Sequence, residues 1–249
     1  MIEVIEIEKS FNSQKVLNGI NLKIADKELV AIIGKSGCGK SVLLKHIVGL
    51  LMPDKGNILI EGTDITTLSG GDLDGIREKF GVLFQGGALF DSLTVYQNIA
   101  FPLREKTKLS KKEIRERVLE ALEDVGLRGF GNRYPAEISG GMKKRVALAR
   151  ALITEPKIVL FDEPTTGLDP IIVNSMHRLI MNTHKKYGYT GLLVSHEIPE
   201  IFEVVDRIAM LHGGVIVEVG TTEEIKNSTD PIVRQFITGS LEGPIEPLG

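Results

Sequence analysis

The chain has 249 residues, with 30 Lys+Arg against 33 Asp+Glu and a formal net charge of −3. Apolar residues make up 42% and charged residues 25%, which excludes a disordered chain and allows one large α/β domain, or a domain with a modest insertion, to bury a full core. The longest apolar run, Leu29 to Ile33, is five residues, far below the roughly 18–20 that span a bilayer.

From Met1 to Ile24 apolar and polar residues alternate in two stretches around a polar turn at Asn12 and Ser13, which predicts antiparallel strands with one wet face. Leu29–Ile33 is continuously apolar, as the buried centre of a sheet requires. A glycine-rich turn follows, then a helix from about Lys40 to Leu50, ended by the Met52-Pro53 step. Ile58–Ile60 and Val82–Phe84 read as short strands. Between about Gly86 and Ala151 strand-like runs give way to helical patterns, with a charged amphipathic helix over Lys111–Val125, and this stretch reads as a helical insertion. Strands return at Ile158–Phe161, Leu192–Ser195 and Ile208–Leu211, with helices between them. Val215–Val219 adds a late antiparallel strand, and Gly239–Gly249 is too rich in Gly and Pro for a regular element. No signal-peptide pattern opens the chain, and the single cysteine, Cys38, excludes an intrachain disulfide and fits a reducing cytosol.

Gly34, Lys35, Ser36, Gly37, Cys38, Gly39, Lys40 and Ser41 match G-x-x-x-x-G-K-[ST] at every fixed position, between an apolar strand and a helix that continues with Val42. Glycines let backbone N–H groups converge on phosphate oxygens, and the helix start adds its positive dipole end. The Lys40 ammonium has the reach for β- and γ-phosphates, and the Ser41 hydroxyl suits a Mg²⁺ ligand. Ile158–Phe161 ends in Asp162-Glu163. A carboxylate at the C-terminal edge of a parallel strand faces a ligand crevice, so Asp162 is expected to hold Mg²⁺ and Glu163 to polarise an attacking water.

Ile138-Ser139-Gly140-Gly141-Met142-Lys143-Lys144-Arg145 lies shortly before that acidic strand. With it the chain resembles the ATP-binding cassette (ABC) family over nearly its whole length. The family's signature usually reads L-S-G-G-Q, so Ile138 is a mild departure and Met142 a larger one. Ser139 and the glycines open a helix over Met142–Ala151, a second anion-binding nest. The resemblance implies an α/β P-loop NTPase, an ABC ATPase core with an N-terminal antiparallel β subdomain and an inserted helical subdomain. On this reading residues 1–249 form one ABC ATPase domain, with the helical subdomain at about 86–151 and a tail at about 239–249. It further implies that Ser139, Gly140, Gly141 and Met142 of one copy close on ATP held by the phosphate loop of another. Gln85 resembles the Q-loop glutamine that contacts Mg²⁺. Thr166-Gly167-Leu168-Asp169 resembles the D-loop, and His196 the switch histidine at the γ-phosphate. Phe11, 23 residues before Gly34, stands where the family places an aromatic on adenine, with Val16 beside it. Cys38 has no catalytic duty in the family and reads as a small residue fitting the loop.

Phe84–Phe90, Asp91–Val95 and Asn98–Glu105 resemble more narrowly the ATPases of Mla/Mce-type phospholipid transport systems, and the Met142 form of the signature is similar to that branch. Ser195-His196-Glu197-Ile198-Pro199-Glu200 and the region from Asp230-Pro231 to Gly243-Pro244 agree. The branch implies a homodimer, peripheral on the cytoplasmic face of the inner membrane, beneath an integral membrane permease that works with an MCE-domain lipid-binding protein. Some members also bind a small STAS-domain protein, and the tail of relatives reaches the neighbouring ATPase subunit. Three other readings remain open. The cargo could be a small solute such as an amino acid. A soluble ABC ATPase acting on nucleic acid usually has two cassettes or a long coiled coil, and a net charge of −3 does not favour that partner. A phosphotransferase leaves Ser139–Met142 and His196 without a role.

Overall fold

The alternation at the start of the chain becomes a hairpin in the computed structural model, which describes residues 1–246. Strands β1 (Ile2–Phe11) and β2 (Gln14–Ile24) pair antiparallel from Ile2↔Ile24 to Phe11↔Gln14, with Asn12 and Ser13 at the turn. Their inward residues, Ile2, Val4, Ile7, Leu17, Ile20, Leu22 and Ile24, are buried. All five residues of β3 (Leu29–Ile33) are buried, as the unbroken apolar run predicts. Helix α1 (Lys40–Ile47) follows the glycine-rich turn. It stops short of the expected Leu50 because Gly49 turns left-handed (φ 71) and Leu50 and Leu51 donate back to the Lys45 carbonyl, closing the helix before Pro53 has any effect. Strand β4 (Lys55–Ile60) pairs antiparallel with β1, β5 (Thr63–Asp64) extends that sheet, and α2 (Gly70–Arg77) closes this first stretch.

The described residues form two compact units, one from residues 1–78 with 190 onward, the other from residues 79–189. In the second unit β6 (Phe80–Leu83) begins two residues before the expected strand and leaves Phe84 outside it. Three helices follow: α3 (Val95–Lys106), α4 (Lys111–Asp124) and α5 (Gly140–Leu152). Thr94 with Gln97, and Ser110 with Glu113, form capping boxes that start the first two. Strand β7 (Ile158–Asp162) runs parallel to β6, and α6 (Pro170–Tyr187) has Asp169 as N-cap, Pro170 in its first turn and Gly188 (φ 63) at its end.

The chain then returns to the first unit. β8 (Thr190–Ser195) and β9 (Arg207–His212) flank β3 on either side, both parallel to it, and β10 (Val215–Thr221) pairs antiparallel with β9. Helices α7 (Thr222–Lys226) and α8 (Pro231–Thr238) complete the unit. Residues 239–246 form no helix or strand, and the last three residues of the expected tail lie outside the described residues.

Candidate active site

In the first unit the phosphate loop leaves the C-terminal end of β3. Gly34 has φ 151, and a Cβ there would lie 2.2 Å from the Leu211 carbonyl oxygen, so no larger residue fits. Gly39 (φ 105) is the N-cap of α1, and a Cβ there would press on Val16 and Leu17 at 3.0–3.2 Å. Val16 thus packs against the loop, while Phe11 is 42% exposed at the hairpin tip, with the Lys9 ammonium 5.6 Å from its ring centre. No side-chain bond from the N-cap closes the start of α1, where a helix presents its positive dipole end. The Lys40 side chain is buried and donates to the carbonyls of Gly34 (2.7 Å) and Lys35 (3.0 Å). That bond set holds the ammonium inside the loop's own curve. Ser36 and Gly37 are exposed, Ser41 and Val42 half-buried. Burial raises the Cys38 thiol above its ordinary range, against the opposing charge of Lys40. His196 is exposed and directly follows Ser195, which pairs with Ile33, so histidine and phosphate loop leave neighbouring strands at the same end. The Ser195 hydroxyl accepts from the Glu197 N–H (3.0 Å) and shapes the turn that carries the histidine.

In the second unit Leu83 pairs with Phe161, which brings Gln85 and the Asp162-Glu163 pair to one end of β6 and β7. Gln85 Nε2 donates to Glu163 Oε2 at 2.8 Å, and Thr166 Oγ1 donates to the same oxygen at 3.0 Å. Both acidic residues are half-buried. Glu163 has φ 48, a left-handed conformation that a glutamate adopts only when its surroundings enforce it. Oxygen donors of the kind offered by Ser41, Asp162 and Gln85 are those Mg²⁺ prefers beside phosphate. Ser139 is the N-cap of α5, its hydroxyl accepting from the Met142 N–H at 3.3 Å, so the S-G-G stretch opens a helix with Ser139 and Gly140 exposed. The helix starts at Gly140, earlier than the expected Met142.

Three residues around this half carry no individual role in the sequence reading. Asn98 is fully buried on α3; its amide donates to the carbonyls of Phe90, Leu93 and Thr94 (3.0–3.1 Å), and its oxygen accepts from the Phe90 N–H (2.9 Å). It pegs the loop that follows Gln85. Arg150 donates to the carbonyls of Gly87 and Ala88, both at 2.8 Å, and its guanidinium lies 5.9 Å from the Phe90 ring centre. Burial lowers its pKa from the ordinary arginine value. Lys144 donates to the backbone of Gln85. A lone Asn, Arg or Lys inside a helix has no pattern to betray it, because only the folded loop supplies the partners. Phe84, Phe90, Phe101 and Pro102 line a groove of about 340 Å³ beside this loop.

The family model described as ABC transporter matches residues 17–166. The chain belongs to that family: it is an ATPase subunit of an ABC transporter, and it uses ATP with Mg²⁺. It is 47% identical to the probable ribonucleotide transport ATP-binding protein mkl of Mycobacterium leprae, over 98% of this chain and 70% of that protein. It is 40% identical to the intermembrane phospholipid transport system ATP-binding protein MlaF of Haemophilus influenzae, over 98% of this chain and 93% of that protein. A solved dimeric structure of the ATP-binding cassette MJ0796 in a post-hydrolysis state, bound to ADP and Pi, aligns with a TM-score of 0.82 at 33% identity, covering 89% of this chain and 99% of that one. No helix of the described residues is long and apolar enough to cross a membrane.

Proposed function

We propose that this ATPase drives phospholipid transport across the cell envelope, as a homodimer peripheral on the inner face of the inner membrane. Its partners on this reading are an integral permease, an MCE-domain lipid-binding protein and, in some assemblies, a STAS-domain protein. The observation that carries the cargo is the 40% identity to MlaF across 93% of that protein's length, in a chain whose Gln85 loop, Met142 signature and tail resemble the Mla/Mce-type branch. The groove lined by Phe84, Phe90 and Phe101 offers the permease an apolar seat.

The chemistry rests on positioning and charge. Lys40 and the loop amides bind the β- and γ-phosphates. Ser41, Asp162 and Gln85 would hold Mg²⁺, which would neutralise phosphate charge there. Val16 and Phe11 take the adenine, and Glu163 orients the attacking water. His196 steadies charge developing on the γ-phosphate, and Ser139 and Gly141 of a second copy close on it. Binding thereby becomes subunit motion, and hydrolysis releases it. The Glu163→Gln substitution is expected to keep ATP binding while lowering turnover by about 100-fold or more; near-normal hydrolysis contradicts the assignment of the base.

A second reading, nucleotide cargo, follows from the name of the mkl relative. Native purification of the tagged chain, with mass spectrometry of the co-purifying proteins and small molecules, separates the two. An MCE-domain protein and permease carrying phospholipid supports the first reading. A permease carrying ribonucleotide, or a solute-binding protein, overturns the cargo and leaves the ATP-site roles intact.

A further inference from the structure

Lys144 lies one turn into α5, and only 7% of the residue is exposed. An ammonium is strongly hydrated in water, so a buried one requires oxygens to replace that shell. Lys144 Nζ donates to the Gln85 carbonyl and, at 3.4 Å, to the Glu163 carbonyl. These are the main-chain groups of the same two residues whose side chains meet at 2.8 Å. One cation therefore closes a ring with the Q-loop glutamine and the acidic residue after β7. Glu163 is the member of that ring with left-handed backbone (φ 48), a conformation its neighbours must hold in place. The helix that bears Lys144 begins at the Ser139 nest, five residues earlier in the chain.

We infer that Lys144 is a positioning residue: it sets the main chain of Gln85 and Glu163 so that the Glu163 carboxylate stands ready for water, and it ties both to the signature helix. A shift of α5 when its N-terminal nest engages a ligand moves the ammonium and, through the two carbonyls, the base. Lys144 itself touches no nucleotide in this scheme. The inference rests on the reading of Glu163 as the base.

The test uses the full-length chain with Lys144→Met, Lys144→Arg, Gln85→Ala, Glu163→Gln and the Gln85→Ala/Lys144→Met double variant. Steady-state kcat and KM, ATP affinity by calorimetry and the thermal midpoint are measured for each. Lys144→Met is expected to lower kcat by about 10- to 100-fold, the size of one lost charge-assisted bond on which the transition state depends. Its ATP affinity stays within about twofold of the parent. Lys144→Arg, which keeps charge and donors, recovers most of kcat. The double variant falls little below the worse single one, because both act on one ring. If Lys144→Met does not fold, Lys144→Gln, a neutral donor, carries the same expectation. A parental kcat in Lys144→Met, effects that multiply in the double variant, or equal loss in Lys144→Arg each overturn the inference while Glu163→Gln stays inactive. An active Glu163→Gln instead overturns the reading beneath it.

Discussion

His46 shows how one buried side chain links sequence to stability. It sits in the last turn of α1, 1% exposed, with Nδ1 2.7 Å from the Val42 carbonyl. Burial lowers its pKa, reinforced by the nearby Lys9 charge and opposed by the Val42 and Met52 backbone and by Asp54. The native state therefore refuses a proton that the unfolded chain accepts near pH 6.5. The unfolded state binds more protons over that window, so the contribution is complete above about pH 6.5 and is lost as pH falls toward the folded value. Urea unfolding at about pH 7.5 and about pH 5.5 is expected to show a smaller acid loss in His46→Leu than in the parent. Equal losses in the two proteins would refute the argument.

At the scale of elements, close approach matters more than propensity. Gly81 lies in β6 where the end of α5 presses on the strand, and a Cβ there would stand 2.3 Å from the Ala151 carbonyl oxygen and 2.9 Å from Pro156 Cγ. Neither the backbone carbonyl nor the proline ring can swing aside. Gly81→Ala is expected to destabilise by about 1–3 kcal/mol, as overpacking does. At about 2–4 °C per kcal/mol for a chain of this size, the thermal midpoint drops accordingly. An unchanged midpoint would show that strand and helix separate freely. The strand also fixes where Gln85 emerges, so the same variant is expected to lower ATP turnover.

At the scale of the whole molecule, residues 239–246 are held by hydrogen bonds rather than by buried surface. Gln235 on α8 donates to the carbonyls of Ser240 (3.3 Å) and Ile245 (2.9 Å) and accepts from the Ile245 N–H (2.6 Å). Lys35 of the phosphate loop donates to the Glu246 carbonyl at 2.6 Å. Leu241 is 83% exposed, so little apolar surface holds these residues down. Few buried contacts make local release inexpensive, and a released tail is free to reach a second copy. Deleting residues 240–249 is expected to move the thermal midpoint by less than about 2 °C, in line with the small burial. It is also expected to reduce the ATP-dependent dimer of the Glu163→Gln variant, read by light scattering. An unchanged dimer fraction would show that the tail has no part in assembly.

What the sequence disclosed was the chemistry with a local cause. A five-residue apolar run followed by a glycine-rich turn has the length and flank of a buried strand, so β3 was legible to the residue. Glycines at Gly34 and Gly39 are demanded by the turn itself, and Ser139 by the first turn of α5. The phosphate loop stands out by its spacing, the Asp162-Glu163 pair by its place at the end of an apolar strand beside that loop, and the Ser139 nest by its resemblance to the ABC signature. Boundaries were less legible: α1 ends at Ile47 rather than near Leu50 because a left-handed Gly49 closes it, and no composition rule ranks that glycine above the Pro53 further on. Only the tertiary structure decided where buried polar groups find partners. Asn98, Arg150 and Lys144 look ordinary in the chain, and each acquires its role from carbonyls between 4 and 63 residues away in sequence. Local geometry is written in neighbouring residues, whereas a buried donor must be satisfied by whatever oxygen the fold brings to it.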